Sequence, residues 1–368
     1  MTGWQLLLTG VWAPLSSSKQ ADRTVSFQVT NWGVLTAALV LCLMVSPTLQ
    51  AANDFNTITA NSERQSGFIP LHWHSGEGRL YAEVTALNQP FIYYPSLSQG
   101  VGSNDLGLDR GRLGGTQLVQ FERVGPRLLL VALNTRYRAS SNNADERRAV
   151  REAFARSVLW GFDIAAEQDQ RLLIDLTDFS QRDSLKLAAM LKQAGEGSYA
   201  VDPRRSVINL QRSKAFPDNS EIDALVTFVG QPEGEILQTV APDAGAITLH
   251  LHHSFVRLPD DGYTPLAYDP RAGFIDGGEE DLFYDYAAPL GQPVKRGYAR
   301  RHRLEKKYPD RALSEAVEPI IYYVDSGVPE PIRSALVEGA SWWNQAFEAA
   351  GYVDGFQVKI LPPGADPM

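Results

Sequence analysis

The sequence predicts an α+β protein: a strand-rich, mostly antiparallel N-terminal domain, then the first strand and helix of a second, incomplete α/β domain. Three observations carry this. Short runs alternating apolar with polar residues recur from Phe68 onward, separated by Gly- and Pro-bearing turns. Only two stretches before residue 300, Ala144 to Leu159 and Ser184 to Gln193, repeat at helical spacing. The last fifty residues, from Pro319, read as an apolar strand, an amphipathic helix and a further apolar segment. A chain of 368 residues, 44% hydrophobic, has ample material for a core and room for about two domains.

The N-terminal 52 residues read as a signal peptide with an extended start. The apolar run VLTAALVLCLMV, Val34 to Val45, is too short to span a bilayer and suits the central region of a secretory signal. Its basic flank is thin, Lys19 and Arg23 with Asp22 between them, which a start codon assigned too far upstream would explain. Cleavage is expected near Ala51 or Ala52, although Leu49 and Gln50 are not small. The mature protein is therefore expected to be exported, periplasmic or secreted, with no stable membrane anchor. Leu41 before the only cysteine, Cys42, argues against a lipoprotein site, and cleavage would leave no thiol.

Strands are expected in GFIPLHWH, RLYAEVTAL, PFIYYPSL, TQLVQFERV and RLLLVALN, the last two joined by a hairpin at Gly125-Pro126. In RLYAEVTAL, Leu80, Ala82 and Val84 point one way and Tyr81, Glu83 and Thr85 the other, which predicts one wet face. RLLIDL, SVINLQ, IDALVTFVG and AITLHLHHSFVRL add further strands. Pro259 to Pro293, rich in Gly, Pro, Asp and Tyr, reads as a long crossing loop. The basic run RGYARRHRLEKK, Arg296 to Lys307, reads as a solvated linker or ion-pairing face. In the final segment Ile320 to Val324 is apolar on both faces, as for a strand covered on both sides. Ile332, Leu336, Ala340, Trp343, Phe347 and Ala350 line one face of a single predicted helix, with Pro329 and Pro331 in its first turn and Gly351 at its stop.

A net charge of −9 excludes general nucleic-acid affinity, which needs a basic face. The histidines are His72, His74, His250, His252, His253 and His302, and none sits in H-E-x-x-H, so no zinc-hydrolase centre is recognisable. His250 and His252, two apart on a strand, share a face and could hold two corners of a metal site, as could His72 and His74. Hydrogen bonding to neighbours is the commoner origin of such pairs, and no third ligand is suggested. GVGSNDLGLDRG, Gly100 to Gly111, lacks the lysine and spacing of a phosphate loop and reads as a structured loop with Asp105, Asp109 and Arg110 fixing its turns. No G-x-S-x-G elbow occurs. Asp260-Asp261 and Glu279-Glu280-Asp281 could collect calcium, though solvated loop carboxylates are commoner.

Several stretches together resemble one family. They are GVGSNDLGLDRG, VQFERVGPRLLLVALNTRYRA, VDPRRSVINLQRSKAFPDNSEIDALVTF, HHSFVRLPDDGYTPLAYDPRAGFI, and RHRLEKKYPDRALSEAVEPIIYYVD with its WWNQAFEAAGY helix. In this order they resemble exported bacterial zinc-dependent metalloproteases in which a DUF5117 region precedes a metzincin-like catalytic domain. Ala272 and Phe274 stand where the family pattern suggests valine and tyrosine. The resemblance implies a DUF5117-like region over 53–295, a basic linker over 296–317 and the start of a truncated catalytic domain over 318–368. It implies zinc, and a peptide or protein substrate, but no catalytic, cofactor-binding or metal residue maps onto this sequence. The expected function is the N-terminal portion of such a protease, inactive as it stands because H-E-x-x-H is absent. The alternative is a non-catalytic periplasmic binding or scaffold module.

Overall fold

The fold is α+β and strand-rich, with mostly antiparallel pairing, as the alternation predicts. The computed structural model describes residues 55–274 and 282–365, all within one compact unit, Thr48–Met368. The apolar run at Val34 to Val45 and the acidic triplet at Glu279 lie outside the described residues.

Eleven strands follow one another across the main sheet. They are β1 (Glu63–Gln65), β2 (Leu71–His74), β3 (Arg79–Val84), β4 (Phe91–Gln99), β5 (Gln117–Val124), β6 (Arg127–Ala132), β7 (Ser157–Gln168), β8 (Arg171–Asp175), β9 (Gly197–Val201), β10 (Asn219–Pro232) and β11 (Ala246–Val256). Their order is β1-β2-β3-β8-β7-β6-β5-β4-β11-β10-β9, antiparallel throughout. The sheet curls until its first strands return to the start of β10. There Phe68 N–H donates to the Phe216 carbonyl at 2.7 Å, and the Ser220 hydroxyl accepts from Ile69 N–H and donates to the Ile69 carbonyl. The enclosed core is mostly aliphatic with an aromatic cluster inside it: Tyr93, Trp160, Phe162 and Phe255 pack around Phe179, from the short helix Thr177–Ser180.

The expected hairpin is present, with Val124 paired to Arg127 across Gly125-Pro126 and Gly125 in the left-handed region. Four local expectations are corrected. Strand β3 has no wet face: Tyr81 packs with Phe55, Ala166 and Leu173 under a helical turn at 55–60, and Glu83 is buried against His72. The helix expected to reach Leu159 ends at Ala153, because Phe154 turns extended to stack on Tyr137 and Ser157 opens β7. The helix expected from Ser184 starts at Leu187, where the Asp183 carboxylate accepts from the Leu187 and Ala188 N–H groups. In SVINLQ only Val207–Ile208 pairs, with β10.

The C-terminal segment forms a strand–helix–strand unit, Ile320–Val324 paired in parallel with Phe356–Ile360. The single predicted helix is two, Ile332–Ser341 and Trp343–Ala349, divided at Trp342, whose carbonyl accepts from Gln345 N–H in a tightened turn. Pro329 and Pro331 precede the first helix rather than occupy its opening turn. Gly351 takes the expected left-handed stop. The strand is not covered on both sides: Ile321, Tyr322 and Tyr323 are exposed, and only Ile320 is buried. Leu336, Ala340, Trp343 and Phe347 face Tyr322, Phe356 and Val358 across an apolar cavity of about 760 Å³.

Candidate functional site

The alternation of β10 and β11 sorts two kinds of chemistry onto two faces. Ile222, Ala224, Val226 and Phe228, with Leu249, Leu251 and Phe255, fill the core. Glu221, Asp223, His250, His252 and Ser254 share the opposite face, because strand residues two apart point the same way. That face is not open to water. The turn at 209–213 and the loop after β4 cover it, so Asp223 is fully buried and Glu221, His252 and Ser254 nearly so.

Every oxygen of the two carboxylates is spent. Asp223 Oδ1 accepts from His250 Nδ1 at 2.9 Å and from Asn209 Nδ2 at 2.9 Å, and Oδ2 accepts from the Ser98 hydroxyl. Glu221 Oε1 accepts from Asn219 Nδ2 at 2.6 Å, and Oε2 accepts from His252 Nε2 at 2.7 Å and Ser254 Oγ at 2.6 Å. The other nitrogen of His252, Nδ1, stands 3.7 Å from Asp223 Oδ2. Burial alone would raise the Asp223 carboxyl, but His252, Ser98, Asn209 and His250 outweigh it and bring it down to about 2. Burial likewise opposes Glu221, which His252, Asn219 and Ser254 hold below the usual range. Burial alone would depress His252, and the flanking Asp223 and Glu221 carboxylates outweigh it and raise it instead.

The sign of the pH dependence follows. Asp223, depressed from 3.8 to about 2, contributes stability above about pH 4 that is lost as pH falls through 2. We expect urea unfolding midpoints to drop across that window by the equivalent of about 2 kcal/mol for this group. The His252 contribution runs the other way: complete below its ordinary 6.5, it is lost as pH rises past its elevated value.

Neither serine is paired with a base here: Ser98 and Ser254 donate to carboxylates rather than to imidazole, and His250 Nδ1 and His252 Nε2 each face a carboxylate. Among the described residues no group of three or more His, Cys, Asp or Glu is placed to hold a metal ion, so zinc does not fit them. His250 and His252 do share a face as their spacing requires, yet each is turned onto a carboxylate. His72 bonds Glu83 at 3.1 Å on the far side of the sheet order, and His74 accepts from Glu77 N–H. His253 points into the core, donating to the Ser180 carbonyl and accepting from Tyr93 OH, and burial pushes it down to about 3.

Beside the network lies a cavity of about 490 Å³. Tyr94, Ser96 and Ser98 of β4, Arg110 of the loop, Arg212, Asn219, Glu221, His252 and Ser254 contribute its polar lining. The loop keeps its shape through glycine: a Cβ on Gly100 would lie 2.3 Å from the Leu108 carbonyl oxygen, and Gly102, Gly107 and Gly111 are left-handed. Contrary to expectation, Arg110 does not fix a turn of this loop. It pairs with Asp325 of the C-terminal unit, and Arg112 ties the loop by donating to the Gly107 carbonyl. The basic run does form ion pairs, Arg303 with Asp260 and Glu305, and Lys307 with Glu315.

A family model described as "Domain of unknown function (DUF5117)" matches residues 111–307. No curated protein and no solved structure matches the chain.

Proposed function

Since the chain belongs to the DUF5117 family, we propose that its strand-rich body is the scaffold of an exported zinc-dependent metalloprotease acting on peptide or protein substrates. In this reading the Ile320–Ile360 unit opens the protease domain. The supporting observation is that unit itself: a parallel strand pair with its helices, tied to the body through Arg110 with Asp325 and through the Tyr352 hydroxyl on the Leu304 carbonyl at 2.9 Å. Parallel strands are normally covered on both faces, and these are not. No step through zinc is assigned to the described residues, whose part is to hold and present.

Isolating the mature protein from its own cells tests this by intact mass, zinc content and a chelator-sensitive peptidase assay. A mass well above the 40.6 kDa of this sequence, with zinc and activity, is expected. A mass matching residues from about Ala52 to Met368, with neither zinc nor activity, would leave a non-catalytic binding module. The polar cavity beside His252 favours that second reading for the body.

The apolar faces carry a further prediction. Trp342 and Trp343 are each 64% exposed, beside exposed Ile332 and Leu336. The chain as written is expected to aggregate, and one ending near Pro309 to stay in solution, as read by light scattering. Equal scattering from the two would count against an uncovered face.

A further inference from the structure

We propose that the cavity between β4, its following loop and Arg212 binds a carboxylate-bearing ligand, with Arg212 as the principal cation and the Ser96 and Tyr94 hydroxyls as further donors. This rests on the second reading above, that the cavity is a binding site, and names the chemistry it takes.

The unmatched groups on the wall are donors. Arg212 is half-buried, and its guanidinium has no acidic or carbonyl partner among the described residues, in a chain carrying a net charge of −9. Ser96 is nine-tenths buried, and neither its hydroxyl nor that of Tyr94 makes a hydrogen bond among the described residues. A half-buried guanidinium facing a cavity favours a planar anion that can accept two parallel N–H bonds.

The resident carboxylates already have their own donors and do not compete for Arg212. Both Glu221 oxygens are occupied by Asn219, His252 and Ser254, and Asp223 is enclosed by Asn209, His250 and Ser98. His252 lies between the two carboxylates and offsets part of their charge, while the Arg212 guanidinium at the surface of the cavity has no acidic partner among the described residues. The other arginine on the wall shows which partner suits this place: Arg110 already holds a carboxylate, that of Asp325. With about 490 Å³ the cavity has room for a few linked residues or a small organic acid. The two sources share one recognised group, and experiment separates them.

The full chain, kept at sub-micromolar concentration, would be titrated by microscale thermophoresis with trialanine, trialanine amide and succinate. Binding of trialanine with loss of about tenfold or more for its amide would identify a peptide C-terminus. Binding of succinate without trialanine would identify a free organic acid. Arg212→Leu is expected to lose about tenfold or more for the acid that binds, and Arg212→Lys to retain part of it. Circular dichroism of each variant would confirm folding, which loss of an unpartnered side chain should leave intact. Equal binding of trialanine and its amide would overturn the carboxylate and keep the cavity as a site. Wild-type affinity in Arg212→Leu would overturn the assignment to this wall. No binding of any probe in the millimolar range would overturn both the inference and the binding reading.

Discussion

Replacing Asp223 by alanine is expected to destabilise the protein by about 3–5 kcal/mol at neutral pH, read as the fall in the urea midpoint. The side chain is wholly buried and accepts hydrogen bonds from His250, Asn209 and Ser98. Its removal strands three donors at once and leaves His252 with one carboxylate instead of two, and each buried donor without a partner costs its own desolvation. Asp223→Asn, which keeps the shape and one acceptor, should lose less. The deficit of the alanine variant should shrink below about pH 2, where the wild-type carboxyl is itself protonated. A deficit under 1 kcal/mol at neutral pH would show that the network contributes little to the fold.

Phe179→Ala is expected to cost a comparable amount, about 3–5 kcal/mol, by a different cause. Phe179 is fully buried, with ring centroids at 5.7 Å from Tyr93, 5.5 Å from Phe162, 5.4 Å from His253 and 6.0 Å from Phe255. Arg182 lies over its face at 3.7 Å and donates to Tyr93 OH, which in turn bonds His253. Truncation opens a cavity and also loosens the packing that holds this half-buried arginine. Because no titrating group is removed, the loss should persist at pH 2, which separates it from the Asp223 effect. A loss near that of a surface substitution would mean the helix Thr177–Ser180 can collapse to fill the space.

Much of the main sheet was legible because period-two alternation reports directly on which residues face a core. The hairpin at Gly125-Pro126 and the shared face of His250 and His252 followed from the same local rule. What failed was local reasoning about cover. The Tyr81 and Glu83 side of β3 looks wet until residues 55–60 and His72 are placed over it. Ala144 to Leu159 looks like one helix until Phe154 finds Tyr137. The network beside the cavity was half visible. Glu221 and Asp223 repeat the two-residue spacing of His250 and His252, and pairing the two runs would have suggested their meeting. Arg110 and Arg212 carry no such periodic mark, and the contact between Arg110 and Asp325 joins residues 215 apart.

The join at Ser220 bears on how quickly this protein reaches its structure. One hydroxyl there replaces a backbone rung and bridges residues 151 positions apart. Hairpins such as β5–β6 can zip from a two-residue turn, but the sheet curls shut only after most of the chain between Ile69 and Ser220 is ordered. Closing so large a loop is entropically unfavourable until many contacts reward it, so slow refolding is expected, as read by stopped-flow fluorescence. Ser220→Ala would therefore mainly hasten unfolding while leaving the refolding rate nearly unchanged, the pattern of a contact made after the transition state.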